Sequence, residues 1–259
     1  MLKEIYSGSF EYSFKNKKAI TSIIKVGILL LLSFLIIPLI LFFGFSYRVI
    51  LIGLTGSISY TNDPMPKFNY LGEIFIQGLK VFFVGVIYFL PVIAILAIGF
   101  CSGIADVHFY NLSNFSINFD FSLSFFILLL LVFLSFLFTS VAIPHMVNNN
   151  GSISYAFKIK DLIKLIKYTS IVNYIYFFII SIIFLIVLIL ISFILSQFLI
   201  SLIGIIFIAI YSFDLSDTIY GCLNVGMFLL FFIFSMGLFT IIESRVISFM
   251  YNDDGLEEE

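Results

Sequence analysis

The chain has 259 residues, 62% of them apolar and only 11% charged, with 13 Lys or Arg against 15 Asp or Glu. Soluble domains carry about 45–50% apolar and about 25% charged residues, so this composition excludes a water-soluble globule and points to an integral membrane protein. With no excess of Pro, Gly, Cys or basic charge, it also excludes a disordered chain, a collagen or disulfide scaffold, and a nucleic-acid binder.

In chain order, residues 1–16 form a lysine-bearing segment ahead of the first apolar block. That block begins only at residue 26, is longer than a signal h-region and has no A-x-A-like site after it, so a cleaved secretory signal is not expected. Five windows contain no Lys, Arg, Asp or Glu: Val26–Tyr47, Val81–Ala105, Phe121–Phe157, Tyr168–Phe213 and Thr218–Ile242. Each reaches the roughly 20 residues that cross a bilayer core about 30 Å thick. The last residues, Asp253–Glu259, are a short acidic tail to which no role is assigned.

Basic residues are held on the cytoplasmic side. Lys3, Lys15, Lys17, Lys18 and Lys25 precede the first block; Arg48, Lys67 and Lys80 follow it; Lys158, Lys160, Lys164 and Lys167 follow the third. All three groups read as cytoplasmic, whereas the connections holding Asp106, His108 and Asp120, and Asp214 and Asp217, read as external. A first block that crossed once would break this pattern. Pro38 offers a way out, because proline disfavours helix at and before its own position, making two helices that meet near Ile37 and Pro38. The alternative is one tilted, Pro-kinked span with Arg48 outside.

The expected architecture is all-α, a polytopic transmembrane helical bundle of about six membrane helices, with the first of the five hydrophobic blocks read as a hairpin. The spans fall at roughly 17–37, 39–57, 80–102, 122–147, 171–197 and 221–249, in one integral membrane domain with both termini cytoplasmic in the cell membrane. By segment, 1–16 is the cytoplasmic start, 17–57 a hairpin, 68–147 and 157–249 each an amphipathic helix plus a hairpin, and 250–259 the tail. The fourth window, 46 residues, is too long for one upright span, so Ser201–Phe213 is expected to be a separate interfacial or re-entrant piece. In Phe68–Lys80 and Phe157–Tyr168 the apolar residues keep helical spacing, which predicts helices lying in the cytoplasmic interface with lysines toward anionic headgroups. The three hairpins also look related: Ser46-Tyr47-Arg48-Val49-Ile50 recurs as Glu243-Ser244-Arg245-Val246-Ile247, and Glu73 and Tyr88 match Asp161 and Tyr176 at one offset.

Ionisable groups inside a membrane are costly, which makes each a candidate site. Arg48, His145, Glu243 and Arg245 fall near cytoplasmic helix ends and form a candidate interfacial polar cluster, in which a Glu243 to Arg48 pair would neutralise both charges. Cys101 and Cys222 both fall near external helix ends and form a candidate disulfide. Asp106 and His108 supply two metal-ligand types, which is fewer than a site needs. Gly99 to Gly103 matches the small-xxx-small contact pattern, and Asn173, Gln197 and Asn224 suit interhelical hydrogen bonds. No P-loop, HExxH, GxSxG or Rossmann pattern is present, so the sequence names no catalytic, cofactor-binding or metal-ligating set.

The stretch Gly44-Phe45-Ser46-Tyr47-Arg48-Val49-Ile50, then Met65-Pro66-Lys67-Phe68-Asn69-Tyr70-Leu71-Gly72-Glu73-Ile74-Phe75-Ile76-Gln77-Gly78-Leu79-Lys80 and Tyr88-Phe89-Leu90-Pro91, resembles the domain-of-unknown-function 4013 family, polytopic membrane proteins found largely in archaea. Glu11-Tyr12-Ser13-Phe14-Lys15-Asn16 resembles the family's opening. The likeness runs over roughly residues 10–180 and fades beyond 200, with Phe45 in place of the family's Tyr. It implies a multi-pass topology and brings no established activity. Three functions stay open: a non-enzymatic accessory or structural membrane component, a small solute or ion transporter or channel, and a lipid-acting membrane enzyme. The partners expected are the bilayer, anionic lipid headgroups, and a membrane-protein partner or a second copy; no cofactor is expected.

Overall fold

A computed structural model describes residues 2–14, 17–56, 64–101, 105–109, 115–119, 123–211 and 217–252. Among these residues, nine helices follow one another: α1 (Leu2–Phe14), α2 (Lys17–Leu31), α3 (Ile36–Thr55), α4 (Leu71–Cys101), α5 (Leu123–Asn148), α6 (Ile153–Ala156), α7 (Ile159–Thr169), α8 (Ile171–Tyr211) and α9 (Asp217–Asn252). Two five-residue strands, β1 (Ala105–Phe109) and β2 (Phe115–Phe119), pair antiparallel between α4 and α5. The chain is an all-α, polytopic helical bundle, and α3, α4, α5, α8 and α9 are each long and apolar enough to cross a membrane.

The chain reverses between α2 and α3. Pro38 is the third residue of α3, where its missing N–H costs nothing because the first-turn donors have no helical acceptor. Its ring would meet the carbonyl of Phe34, however, so no helix runs through that point. The break therefore falls at Leu32–Leu35, ahead of the proline and not on it, closed by short bonds from Ser33 N to Leu30 O and Leu35 N to Leu32 O. The apolar part of the first leg, Ala19–Leu31, is about 20 Å long and stops short of a full crossing.

Helix α9 is the axis of the bundle, and it packs on α2 through glycine. A Cβ built on Gly27 would fall on the carbonyl oxygen of Ile233, and one on Gly237 would fall on that of Ile23, which makes the pair antiparallel. Helices α3 and α4 repeat this joint: Gly44 faces the carbonyl of Ile74, and Gly78 that of Ile40. All four elements read Ile-x-x-x-Gly, at Ile23, Ile40, Ile74 and Ile233. Backbones that touch in this way gain dispersion contacts a Cβ would block, the usual basis of helix pairing in lipid. Gly53 likewise lets α3 lie beside Ser248 of α9.

Two elements differ from expectation for physical reasons, and one agrees with it. The amphipathic stretch at Phe68–Lys80 is not a separate interfacial helix; α4 starts at Leu71 and runs unbroken through Lys80 into its membrane span, since nothing there interrupts it. In contrast, α7 is separate from α8 because Ser170 adopts φ 72, a left-handed conformation that ends the helix. Its lysines Lys160, Lys164 and Lys167 are exposed while Leu162 and Ile166 are buried against the bundle. The expected break near Ser201 is absent: α8 continues to Tyr211, about 61 Å of helix, with Gly204 seated near Tyr220 of α9.

Buried side chains concentrate at the end where α3, α5 and α9 finish, including Phe45, Val49, Met146, Val147, Ile242, Val246 and Phe249. Helix α1 closes this end with Ile5, Ser9, Tyr12 and Ser13 facing inward.

Candidate functional site

The polar groups of the chain gather at that same end. Glu243 and Arg245, in the buried last third of α9, are 8% and 1% exposed, and Arg245 is among the largest fully buried side chains. The Glu243 carboxylate accepts from Ser181 Oγ of α8 at 2.8 Å and from the Tyr6 hydroxyl of α1 at 3.3 Å, and those two hydroxyls lie 3.3 Å apart. One acid thus ties three helices. Burial, and then the nearby carboxylate, push the Tyr6 phenol above its ordinary pKa. Arg245 lies under α1 as well, its guanidinium carbon 3.9 Å from the centre of the Tyr12 ring and 4.9 Å from that of Phe249, close enough for cation–π attraction. The Tyr12 hydroxyl then donates to the Pro64 carbonyl at 3.3 Å, linking α1 to the segment between α3 and α4.

Arg48 of α3 makes a second, distinct cluster. Its Nε donates to Gln77 at 3.0 Å, its Nη1 to the carbonyls of Lys67 and Asn69 at 2.9 and 3.0 Å, and its Nη2 pairs with Glu73 at 3.4 Å. The planar fork satisfies backbone and side-chain acceptors together, which an ammonium would not. Glu73 is 66% exposed, so the ion pair contributes less than the bonds to the loop. The expected Glu243 to Arg48 pairing is therefore replaced by separate partner sets.

His145 forms a third cluster. Its Nδ1 lies 2.9 Å from the Tyr251 hydroxyl, its ring meets Tyr155 edge-on, and Nε2 is buried with no hydrogen-bond partner among the described residues. Beside it, Lys80 donates to the Gly151 carbonyl at 2.8 Å and Tyr88 to the Ala156 carbonyl at 2.6 Å. Gly151 has φ 67, and a Cβ there would meet the Tyr47 hydroxyl, so this turn needs glycine. The four sequence-singled residues share one end of the bundle but divide among three sets of contacts.

Deeper along the bundle, Gln197 and Asn224 hydrogen-bond across α8 and α9 at 3.0 Å, and Ser192 meets Ser235 at 2.7 Å. Asn173 instead donates to the Thr169 carbonyl at the α7–α8 turn. Cys222 is an exposed free thiol, while the Cys101 side chain lies outside the described residues, as does Gly103. Asp106 and His108 stand on β1, opposite Asn118 and Ser116 in register; their side chains lie outside the described residues too.

A family model described as a protein of unknown function (DUF4013) matches residues 30–197. The chain belongs to this family. Curated proteins and solved structures yield no match. The DUF4013 match starts inside α2 and ends inside α8, so the N-terminal resemblance at Glu11–Asn16 falls outside it, as do α1 and the Glu243–Arg245 end of α9. Several of the residues that carry the DUF4013 likeness have a structural task. Arg48 holds the Lys67–Asn69 turn, Phe68 stacks on Phe45 with ring centres 4.6 Å apart, Gly78 makes the α3 crossing, and Lys80 pins the turn after α5. Sequence reasoning missed Tyr6, Tyr12 and Ser181. For Tyr12 alone there was a signal, the inward spacing Ile5, Ser9, Tyr12, which is too polar to read as an amphipathic face.

Proposed function

We propose that this multi-pass membrane protein is a non-enzymatic accessory or structural component, one that supports a partner membrane protein or organises lipid around it. The observation that carries this reading is the use of the charged groups. Arg48, Glu243 and Arg245 are each engaged by neighbouring helices or loops of the same chain, on partner sets that do not converge on one cavity. A lipid-acting enzyme needs groups that meet at a reacting atom within hydrogen-bond reach, so it has the least support.

A transporter is the second reading, favoured by Glu243 itself, because an acid buried within a membrane span is the kind of group that ion and proton pathways use. We further propose that both termini face the cytoplasm of the cell membrane. Lys25 and Arg48 support this, since both reach the Pro64–Asn69 segment from opposite legs of the first hairpin. Affinity purification of the full chain from its native membrane, after cross-linking, tests the accessory reading. Repeated recovery of one membrane protein in near-equal amount is the expected result; recovery of the chain alone, with no partner and no enriched lipid, counts against it.

A further inference from the structure

Between α2 and the segment ahead of α4 lies a groove of about 370 Å³, lined by Thr21, Ser22, Lys25, Pro66, Lys67 and Phe68 among others. Its outer wall is held in place from three sides. Tyr12 donates to Pro64, Arg48 holds the Lys67 carbonyl, and Phe68 stacks on the buried Phe45. Lys25 crosses the groove above the Phe68 ring, 5.5 Å from its centre. Lys25 and Lys67 are both exposed, and among the described residues neither joins an ion pair; the nearby Glu73 is taken up by Arg48. Two ammonium groups and the hydroxyls of Thr21 and Ser22 thus line one side-opening recess.

The surface that continues from this recess is apolar. On α2, Lys25 and Ile28 are spaced i, i+3 and share one helix face, and Leu32, whose N–H bonds to the Ile28 carbonyl, follows directly where α2 ends. Ile28 is 41% exposed and Leu32 36%, with Ile24 at 40% beside them. The face therefore changes from cationic to aliphatic along the direction in which α2 enters the bundle, which matches a molecule with an anionic head and a hydrocarbon tail. A soluble phosphate would use only the first half.

We infer that this groove is a binding site for an anionic phospholipid, its phosphate between Lys25 and Lys67 and one acyl chain along Ile28 and Leu32. Charge-assisted bonds from the ammonium groups hold the phosphate, and basic recesses between membrane helices suit such headgroups. The site goes beyond the accessory reading and does not depend on it, because a transporter would hold the same lipid.

The test uses the full chain purified in a neutral detergent and titrated with phosphatidylglycerol, phosphatidylcholine or inorganic phosphate, with bound lipid counted by native mass spectrometry. One phosphatidylglycerol should be retained in preference to phosphatidylcholine. Replacing both lysines, K25A with K67A, should weaken it about twenty-five-fold, at about five-fold per lysine. The charge-keeping pair K25R with K67R should retain it and shows that the fold survives. The pair K160A with K164A on α7, which alters general surface charge, should leave that one lipid in place. Equal retention of the two lipids, an unchanged K25A/K67A variant, or equal loss in the α7 pair overturns the site. Displacement of phosphatidylglycerol by inorganic phosphate at matching concentration overturns the lipid and assigns a free-phosphate site instead.

Discussion

Two glycines on the same helix should respond with opposite signs when given one methyl group. Gly78 and Gly85 both lie on α4, seven residues apart. At Gly78 an added Cβ meets the Ile40 carbonyl and the Gly44 nitrogen of α3; at Gly85 it meets nothing within 4 Å. Alanine gains about 1 kcal/mol over glycine inside a helix, and this gain applies at both positions. Overpacking a well-fitted contact costs about 1–3 kcal/mol. The obstacle at Gly78 is backbone, so no rotamer change relieves it and the upper end of that range applies. G78A should therefore lose about 2 kcal/mol net and G85A gain about 1 kcal/mol, a separation near 3 kcal/mol. The chain has no Trp, so equilibrium unfolding in mixed micelles should be followed by far-ultraviolet circular dichroism. If G78A matches or exceeds the stability of G85A, the reciprocal Ile-x-x-x-Gly joint is wrong, and with it the equivalent joint of α2 and α9.

At the closed end, Y6F and S181A should each destabilise by about 1–3 kcal/mol, because each leaves the buried Glu243 one donor short. Sharing one acceptor makes them non-additive, and strict additivity in the double variant would refute the triad. The raised Tyr6 pKa has a pH consequence: its stabilisation is complete below the ordinary value of 10.0 and fades as pH climbs from there toward the folded value, so alkali should weaken the wild type more than Y6F in the same unfolding assay. For the Arg48 cluster, R48A should cost about 2–3 kcal/mol through its lost loop bonds, whereas E73Q should cost less than about 1 kcal/mol; equal effects would show that the ion pair dominates. Orientation is read by thiol labelling in a C101S background. K67C should react only after the cells are permeabilised and the exposed Cys222 in intact cells, and the reverse pattern would invert the topology.

The membrane class and the turn in the first block were legible because charge is excluded from the bilayer: the lysines before and after that block demanded a reversal, and Pro38 marked it to within a few residues. The length of α8 was not legible. Bilayer thickness argues for a break after about 30 Å, yet residues 198–211 contain no Pro and only Gly204, and α9 runs alongside as a partner, so the helix continues. The glycine joints were hidden for a different reason. Glycines are scattered along this chain, and only the facing backbone distinguishes Gly78 from Gly85. The repeated segments were part signal and part coincidence. Arg48 and Arg245 both lie two turns before the ends of helices that finish at one end of the bundle, whereas Tyr88 donates a hydrogen bond to Ala156 and its offset match Tyr176 is 55% exposed. The three-way hold on Glu243 spans α1, α8 and α9, a separation no local pattern reveals.

The central claim is that the buried charges fasten the bundle together and do not serve a transport path. Reconstituting the wild type and E243Q into sealed liposomes under a proton or sodium gradient tests it most directly. Flux at the level of empty liposomes for both proteins is the predicted result. Flux in the wild type that E243Q abolishes, while the variant remains folded, would contradict it and place Glu243 on a path across the membrane.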